Sequence, residues 1–203
     1  MLEIAVRGTA LLLLDFENYS VHPDGYWAQQ DPAAAVRGGR AMANARRALT
    51  AAREVGMTVV HIGQQWREGY PELNRRSPWE ASALAAGRSI AGTWATAFCD
   101  EVAPIAGELV IPKRTMSAFI ATELDRLLRV RGINTIVLAG VVTNFAVEAA
   151  ARDGADLGYG VIVLADCCET INDEMQRFAL EVIFPLIALV SDANEFAAAL
   201  KSA

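Results

Sequence analysis

Short apolar runs alternate with longer amphipathic stretches along the whole chain. The runs are Ala10–Leu14, Thr58–Ile62, Leu109–Ile111, Thr135–Ala139, Gly160–Leu164 and Leu186–Val190. They are apolar at successive positions rather than at every second one, which is the pattern of strands buried on both faces. Helix signals fill the intervals. Asp31-Pro32 pairs an N-cap with proline at the first helical position, and Gly56 stands where a left-handed C-terminal residue belongs. Ser117 is placed to cap a helix over Ala118–Arg131 that stops at Gly132. A helix over Phe145–Leu157 stops at Gly158, and Asp192 caps Ala193–Leu200. Strands alternating with helices predict an α/β fold in three layers, a mostly parallel sheet with helices on both faces. No repeat or linker interrupts the pattern, so residues 1–203 are expected to form one domain. The longest irregular parts are Glu17–Gln30 and Gln64–Thr93. Ligands of such sheets bind beyond the carboxyl ends of the strands, so the residues just after each run are the candidates for chemistry.

Composition narrows the class of partner. With 53% hydrophobic and 21% charged residues the chain is neither disordered nor fibrous, and a net charge of −6 argues against nucleic acid and anionic membrane as partners. The longest apolar stretch, Phe178 to Val190, is broken by Glu181 and Pro185 and is too short to span a bilayer. Glu3 and Arg7 interrupt any signal-peptide pattern at the start, and Asp15 closes the first apolar run. Three cysteines, two of them adjacent at Cys167 and Cys168, offer no even disulfide framework. The expectation is a soluble cytoplasmic protein whose partner is a small molecule.

Three strand ends carry groups that can do chemistry. Asp15 follows the first run, Lys113 follows the third, and Gly140-Val141-Val142-Thr143-Asn144-Phe145-Ala146 leads from the fourth into a helix. A carboxylate and an ammonium at neighbouring strand ends can pair, shift each other's pKa and form a proton-transfer unit. Spacing alone favours a plain structural ion pair at a sheet edge over the catalytic reading.

Asp15, Lys113-x3-Ser117-Ala118-Phe119 and Gly140-Val141-Val142-Thr143-Asn144, followed by Ala151-Arg152-Asp153, resemble the isochorismatase-like cysteine hydrolase superfamily. Gly92-Thr93-Trp94 and Asp166 resemble it too, and the likeness runs from about residue 8 to residue 190. The resemblance implies a six-stranded parallel sheet, a homo-oligomer (dimer or tetramer), and hydrolysis of a small polar metabolite by an Asp, Lys and Cys triad. On it, Asp15 is the general base and Lys113 the cation that orients it. It also implies a cis peptide at Val141–Val142, which aims the amides of Val142 and residue 146 at a substrate oxygen as an oxyanion hole. The nucleophilic cysteine belongs at position 146, where this chain has alanine.

Ala146 leaves two readings open. If it replaces a native cysteine, the chain is an amidohydrolase of carbon–nitrogen bonds (amide, ureido or carbamoyl) with its nucleophile removed. If it is native, the resemblance implies isochorismatase-type cleavage of a vinyl ether, in which Asp15 is the acid and no nucleophile is needed. A catalytically inert metabolite-binding protein is the alternative from outside enzymology. Some relatives, the nicotinamidases, hold a metal after the second strand. The corresponding stretch here, HIGQQWREGYPELNRR, has only His61, and His22 stands far away in the first long loop, so neither a metal nor any other cofactor is expected. Gln65, Trp66 and Arg67 follow the second strand and are expected to face substrate, with Trp66 stacking on it and Arg67 binding a carboxylate. Glu17, Trp94 and Thr143 complete the expected binding set, Glu17 as a second carboxylate able to raise the pKa of Asp15. Tyr19, Tyr26 and Trp27 give the first long loop an aromatic content suited to closing over a ligand or to filling a subunit interface.

Overall fold

A computed structural model describes residues 2–201, apart from the side chains of residues 32, 34 and 35. Six strands, β1 (Thr9–Leu14), β2 (Thr58–Gln64), β3 (Leu109–Lys113), β4 (Thr135–Val141), β5 (Gly160–Glu169) and β6 (Leu189–Ser191), form one sheet in the order β3-β2-β1-β4-β5-β6, with every pairing parallel. Eight α-helices accompany them among the described residues: α1 (Asn18–Val21), α2 (Tyr26–Gln30), α3 (Pro32–Glu54), α4 (Pro78–Ala85), α5 (Leu124–Val130), α6 (Glu148–Asp156), α7 (Asp173–Phe178) and α8 (Ala193–Lys201). None of them is long and apolar enough to cross a membrane.

The alternation of side chains along β1 divides the interior in two. Leu11 and Leu13 point to one face, where Ala45, Ala48, Leu49 and Ala52 of α3 and Phe196 and Leu200 of α8 cover them. Ala10, Leu12 and Leu14 point to the other, among Leu124 and Leu128 of α5 and Ala150 and Ala151 of α6. The alanines of α3 are small enough to seat the helix closely on the sheet. Asp31 caps that helix by accepting from the Ala33 amide, and Gly56 closes it at φ 68°. The edge strands are less covered: Val110, Leu189 and Val190 are exposed, and Pro112 sits in β3, where one side needs no ladder hydrogen bond.

Several expected boundaries move. The sixth strand begins at Leu189, because Pro185 holds Phe184–Leu186 in a 3₁₀ turn. The helix expected from Ala118 begins at Leu124; Ser117 instead accepts from the Phe119 amide and donates to Asp153. Residues Thr143–Val147 form a wide π-type turn ahead of α6 rather than regular helix. Cys99 precedes the 3₁₀ turn Asp100–Val102, and β5 runs on past a register shift to include Cys167 and Cys168. Lys113 and Asp15 are not on neighbouring strands either, since β2 lies between β3 and β1.

Candidate active site

The sheet reverses its order of progression between β1 and β4, and the cleft opens at that switch point. β1 ends at Asp15, where the backbone turns left-handed at φ 57°, a conformation aspartate tolerates better than most residues. Lys113 reaches past the end of β2 to bring its Nζ within 2.8 Å of Asp15 Oδ2. Both side chains are buried, at 6% and 1% exposure. The ammonium is further held by the carbonyls of Met116 (3.1 Å) and Thr115 (3.4 Å) and by Gln64 Oε1 (3.4 Å). Among the described residues, Asp15 Oδ1 and Gln64 Nε2 have no hydrogen-bond partner. A carboxyl oxygen, an amide donor and an ammonium therefore lie together on the floor of a cavity of about 190 Å³.

Burial raises the pKa of Asp15 above the ordinary aspartate value, and the attraction of Lys113 offsets this only in part. The group is thus able to hold a proton beside a fixed cation. Tyr19, which also lines the cavity, is pushed up to about 12 by burial and by Asp15, so it stays neutral.

The β4–α6 turn forms the adjoining wall. Val141, Val142, Phe145 and Ala146 all border the cavity, and the Val141–Val142 peptide is cis. The motif residues around this turn are tied together: Ser117 donates to Asp153, and Thr170 donates to Asn144. Asp166 acts away from the cleft, accepting from the Ala193 amide at the start of α8. Arg37 of α3 and Glu169, 3.9 Å apart, line the cavity as well, as do Trp27 and Trp79.

Asp15, Lys113, Val142 and Ala146 of the expected site residues are thus brought together, whereas the other expected contacts fall elsewhere. Trp66 is 1% exposed and packs on Tyr70, Leu73 and Ala83 as a small separate core. Arg67 is exposed and pairs with Glu72, Trp94 is half-exposed with its ring edge-on to His22, and Thr143 is buried outside the cavity wall. Gln64 takes the place expected of Gln65. β2 continues two residues beyond its apolar run, and side chains on a strand alternate faces, so a misplaced strand end exchanges the residue that meets the ligand. Trp79, Phe145 and Arg37 were not singled out from the sequence. Phe145 adjoins the key alanine, so its neighbourhood was a usable signal, whereas Trp79 and Arg37 arrive from distant segments.

Neither histidine lines the cavity. His61 is fully buried and pairs through Nε2 with Glu108 Oε2 at 2.8 Å, and His22 packs on Trp94. No thiol lines the cavity either. Cys99 and Cys168 are pushed up to about 12, chiefly by burial, and Cys167 is raised too, so none is a ready thiolate.

Glu17 is completely buried, with Oε2 accepting from the Gln64 amide at 2.9 Å. Gly63 makes room for it, since a Cβ there would lie 2.6 Å from Oε1. Burial, and then the neighbouring Asp15, raise its pKa well above the usual value, so in the fold it favours its protonated form. A raised carboxyl pKa means that the native state binds the proton more tightly than the unfolded chain. The stabilisation is therefore present below pH 4.5 and lost as pH rises through the raised value. Glu17→Gln keeps the acceptor but does not ionise. It is expected to melt several degrees above the parent at pH 8 and level with it below pH 4.5 in thermal unfolding across pH. A difference independent of pH would refute that assignment.

Comparison with known proteins agrees with this geometry. The model of the isochorismatase domain matches residues 9–195. The ureidoacrylate amidohydrolase RutB of Stutzerimonas stutzeri is 37% identical over 203 residues, covering 93% of this chain and 81% of that protein. Among solved structures, a cysteine hydrolase from Pseudomonas syringae pv. phaseolicola superposes with a TM-score of 0.87 at 22% identity, covering 100% of this chain and 96% of that one. N-carbamoylsarcosine amidase from Thermoplasma acidophilum superposes with a TM-score of 0.74 at 26% identity, covering 92% and 96%. With its domain model matched over nearly the full length and its cleft at the switch point of an all-parallel sheet, the chain belongs to the isochorismatase family of hydrolases.

Proposed function

We propose that this protein hydrolyses a small polar metabolite by proton transfer at Asp15, with water rather than a protein thiol as the nucleophile. The observation that carries the reading is the pairing of a buried, proton-holding Asp15 with an alanine at position 146 on the same cavity. A vinyl ether suits this equipment. The Asp15 carboxyl gives its proton to the terminal vinyl carbon, forming an oxocarbenium ion, and Lys113 stabilises the carboxylate left behind. Water adds to the cation and returns a proton to Asp15. The resulting hemiketal breaks its carbon–oxygen bond to give an alcohol and a ketone. Gln64 Nε2, which lacks a protein partner, is placed to orient the water or the ether oxygen.

The similarity to ureidoacrylate amidohydrolases favours a second reading, cleavage of a ureido or amide carbon–nitrogen bond. In that case ionised Asp15 takes a proton from water as it attacks the carbonyl, and the amides of Val142 and Ala146 receive the developing oxyanion. As the oxyanion collapses, the carbon–nitrogen bond breaks and Asp15 gives the proton to the leaving nitrogen. The protein is further proposed to be a cytoplasmic homo-oligomer. Exposed Phe178, Val182, Leu186 and Leu189 supply an apolar surface for self-association.

The test is turnover of isochorismate, small amides, ureas and carbamoyl compounds by the parent and by Ala146→Cys. Vinyl-ether hydrolysis by the parent, not improved by the new thiol, is the expected result. Activity on carbon–nitrogen substrates by the parent supports the second reading, and activity appearing only in Ala146→Cys overturns thiol-free catalysis. Silence from both proteins would favour an inert binding role.

A further inference from the structure

Arg88 is a buried cation with no carboxylate partner among the described residues. It is 6% exposed, its Nη2 donates to Ser82 Oγ at 2.8 Å, and its Nε finds no acceptor. Three aromatic faces surround it instead. The guanidinium carbon lies 5.0 Å from the ring centre of Tyr26, 5.4 Å from that of Trp27 and 5.2 Å from that of Trp79. A guanidinium is weakly hydrated and planar, so it is the cation best suited to be buried against rings.

Those rings belong to two separate insertions. Tyr26 and Trp27 come from α2 in the first long loop, and Trp79 comes from α4 in the second. Arg88 follows α4 and thereby joins them. Trp27 and Trp79 are nearly parallel (10°, centres 6.2 Å apart), and Trp79 is stacked in turn on Phe145 (18°, 5.7 Å). All three line the cavity, Phe145 next to Ala146, whereas Arg88 does not border it.

We infer that Arg88 is a positioning residue, which clasps α2 to α4 so that Trp27, Trp79 and Phe145 form a continuous aromatic wall selecting a planar, conjugated substrate. All three rings border the cavity that Asp15 and Lys113 floor, so a planar group stacked against them would lie beside the proton-transfer pair. A saturated, puckered molecule of the same size loses face-to-face contact with the wall. The inference rests on the cavity being the substrate site but not on which bond is cleaved, and the test is chosen accordingly.

Two neutral amides of similar size, planar benzamide and puckered cyclohexanecarboxamide, are titrated against parent, Arg88→Met and Arg88→Lys proteins by tryptophan fluorescence. The parent is expected to prefer benzamide by about tenfold. Arg88→Met, which keeps bulk and removes a buried charge, is expected to lose that preference while remaining folded. Its tryptophans should also become more accessible to acrylamide quenching. Arg88→Lys should fall between, because a compact ammonium cannot face three rings at once. If Arg88→Met proves too unstable to assay, Ser82→Ala removes the one side-chain hydrogen bond that orients the guanidinium and should weaken the preference in the same direction. With any substrate that is turned over, Arg88→Met should raise KM about tenfold and change kcat by less than threefold, unlike a substitution at Asp15. Equal affinities for the two amides, binding of neither, or an unchanged preference and quenching in Arg88→Met would overturn the inference. These outcomes are readable even if no substrate is found, so its failure is separable from failure of the proposed reaction.

Discussion

Replacing Asp15 by asparagine is expected to lower kcat about a thousandfold while leaving the fold intact. Asparagine has the same shape, and Lys113 retains the carbonyls of Met116 and Thr115 and the Gln64 oxygen as partners, so the ammonium is not stranded. What is lost is the dissociable proton that sits against Lys113 on the cavity floor. The pH profile adds a sign that separates the two proposed reactions. Asp15 is held above the ordinary aspartate value by burial. If it acts as an acid, kcat is highest where it is protonated and falls as pH rises through that raised value. If it acts as a base on water, kcat rises over the same interval. Steady-state rates of the parent from acid to neutral pH, with Asp15→Asn as the control, decide between them. A variant that keeps more than about a tenth of the parental rate would remove Asp15 from the chemistry.

The second large effect is structural. Gly140→Ala puts a Cβ 2.4 Å from the Leu14 carbonyl oxygen and 2.6 Å from Leu14 Cβ. Leu14 and Gly140 are paired across β1 and β4, the two strands that flank the switch point. Neither neighbour can yield, because one contact is backbone and the other lies at the root of a fully buried side chain. The expected cost is about 3 kcal/mol, which for a chain of this size lowers the melting temperature by roughly 10 °C. Because Leu14 directly precedes Asp15, the strand separation that relieves the clash also moves the carboxyl away from Lys113. Activity should therefore fall more steeply than stability in purified, folded protein. A melting temperature within about 2 °C of the parent would show that the strands part without strain.

Much of the architecture was legible because it depends on local pattern. Runs such as Leu11–Leu14 and Ile136–Ala139 carry no polar residue on either face, and only a covered parallel sheet accommodates that. Asp31 and Gly56 marked the ends of α3 by chemistry that acts within a few residues. The sixth strand starts later than the apolar run predicts, because Phe184–Leu186 is as apolar as a strand and only Pro185 shapes it into a turn. The pattern points to Gln65 where the cavity has Gln64, because hydrophobicity marks where a strand is buried and not where its ladder ends.

By itself the sequence determined the fold class, the family and the chemical types at three strand ends: Asp15, Lys113 and an alanine at 146. These follow from short-range patterning and from residues that carry their chemistry with them. Only the tertiary structure decided what surrounds those groups. Strand order put β2 between the strands that carry the carboxylate and the lysine and set its Gln64 beside their pair. Burial set the direction of the Asp15 and Glu17 shifts, and packing of two distant insertions assembled Trp27, Trp79 and Arg88 over Phe145. The physical reason is that proximity in space and loss of water are properties of the packed chain. Residues 27, 79, 88 and 145 have no spacing that announces a common wall, and a carboxyl has no raised pKa until its neighbours have excluded water from it.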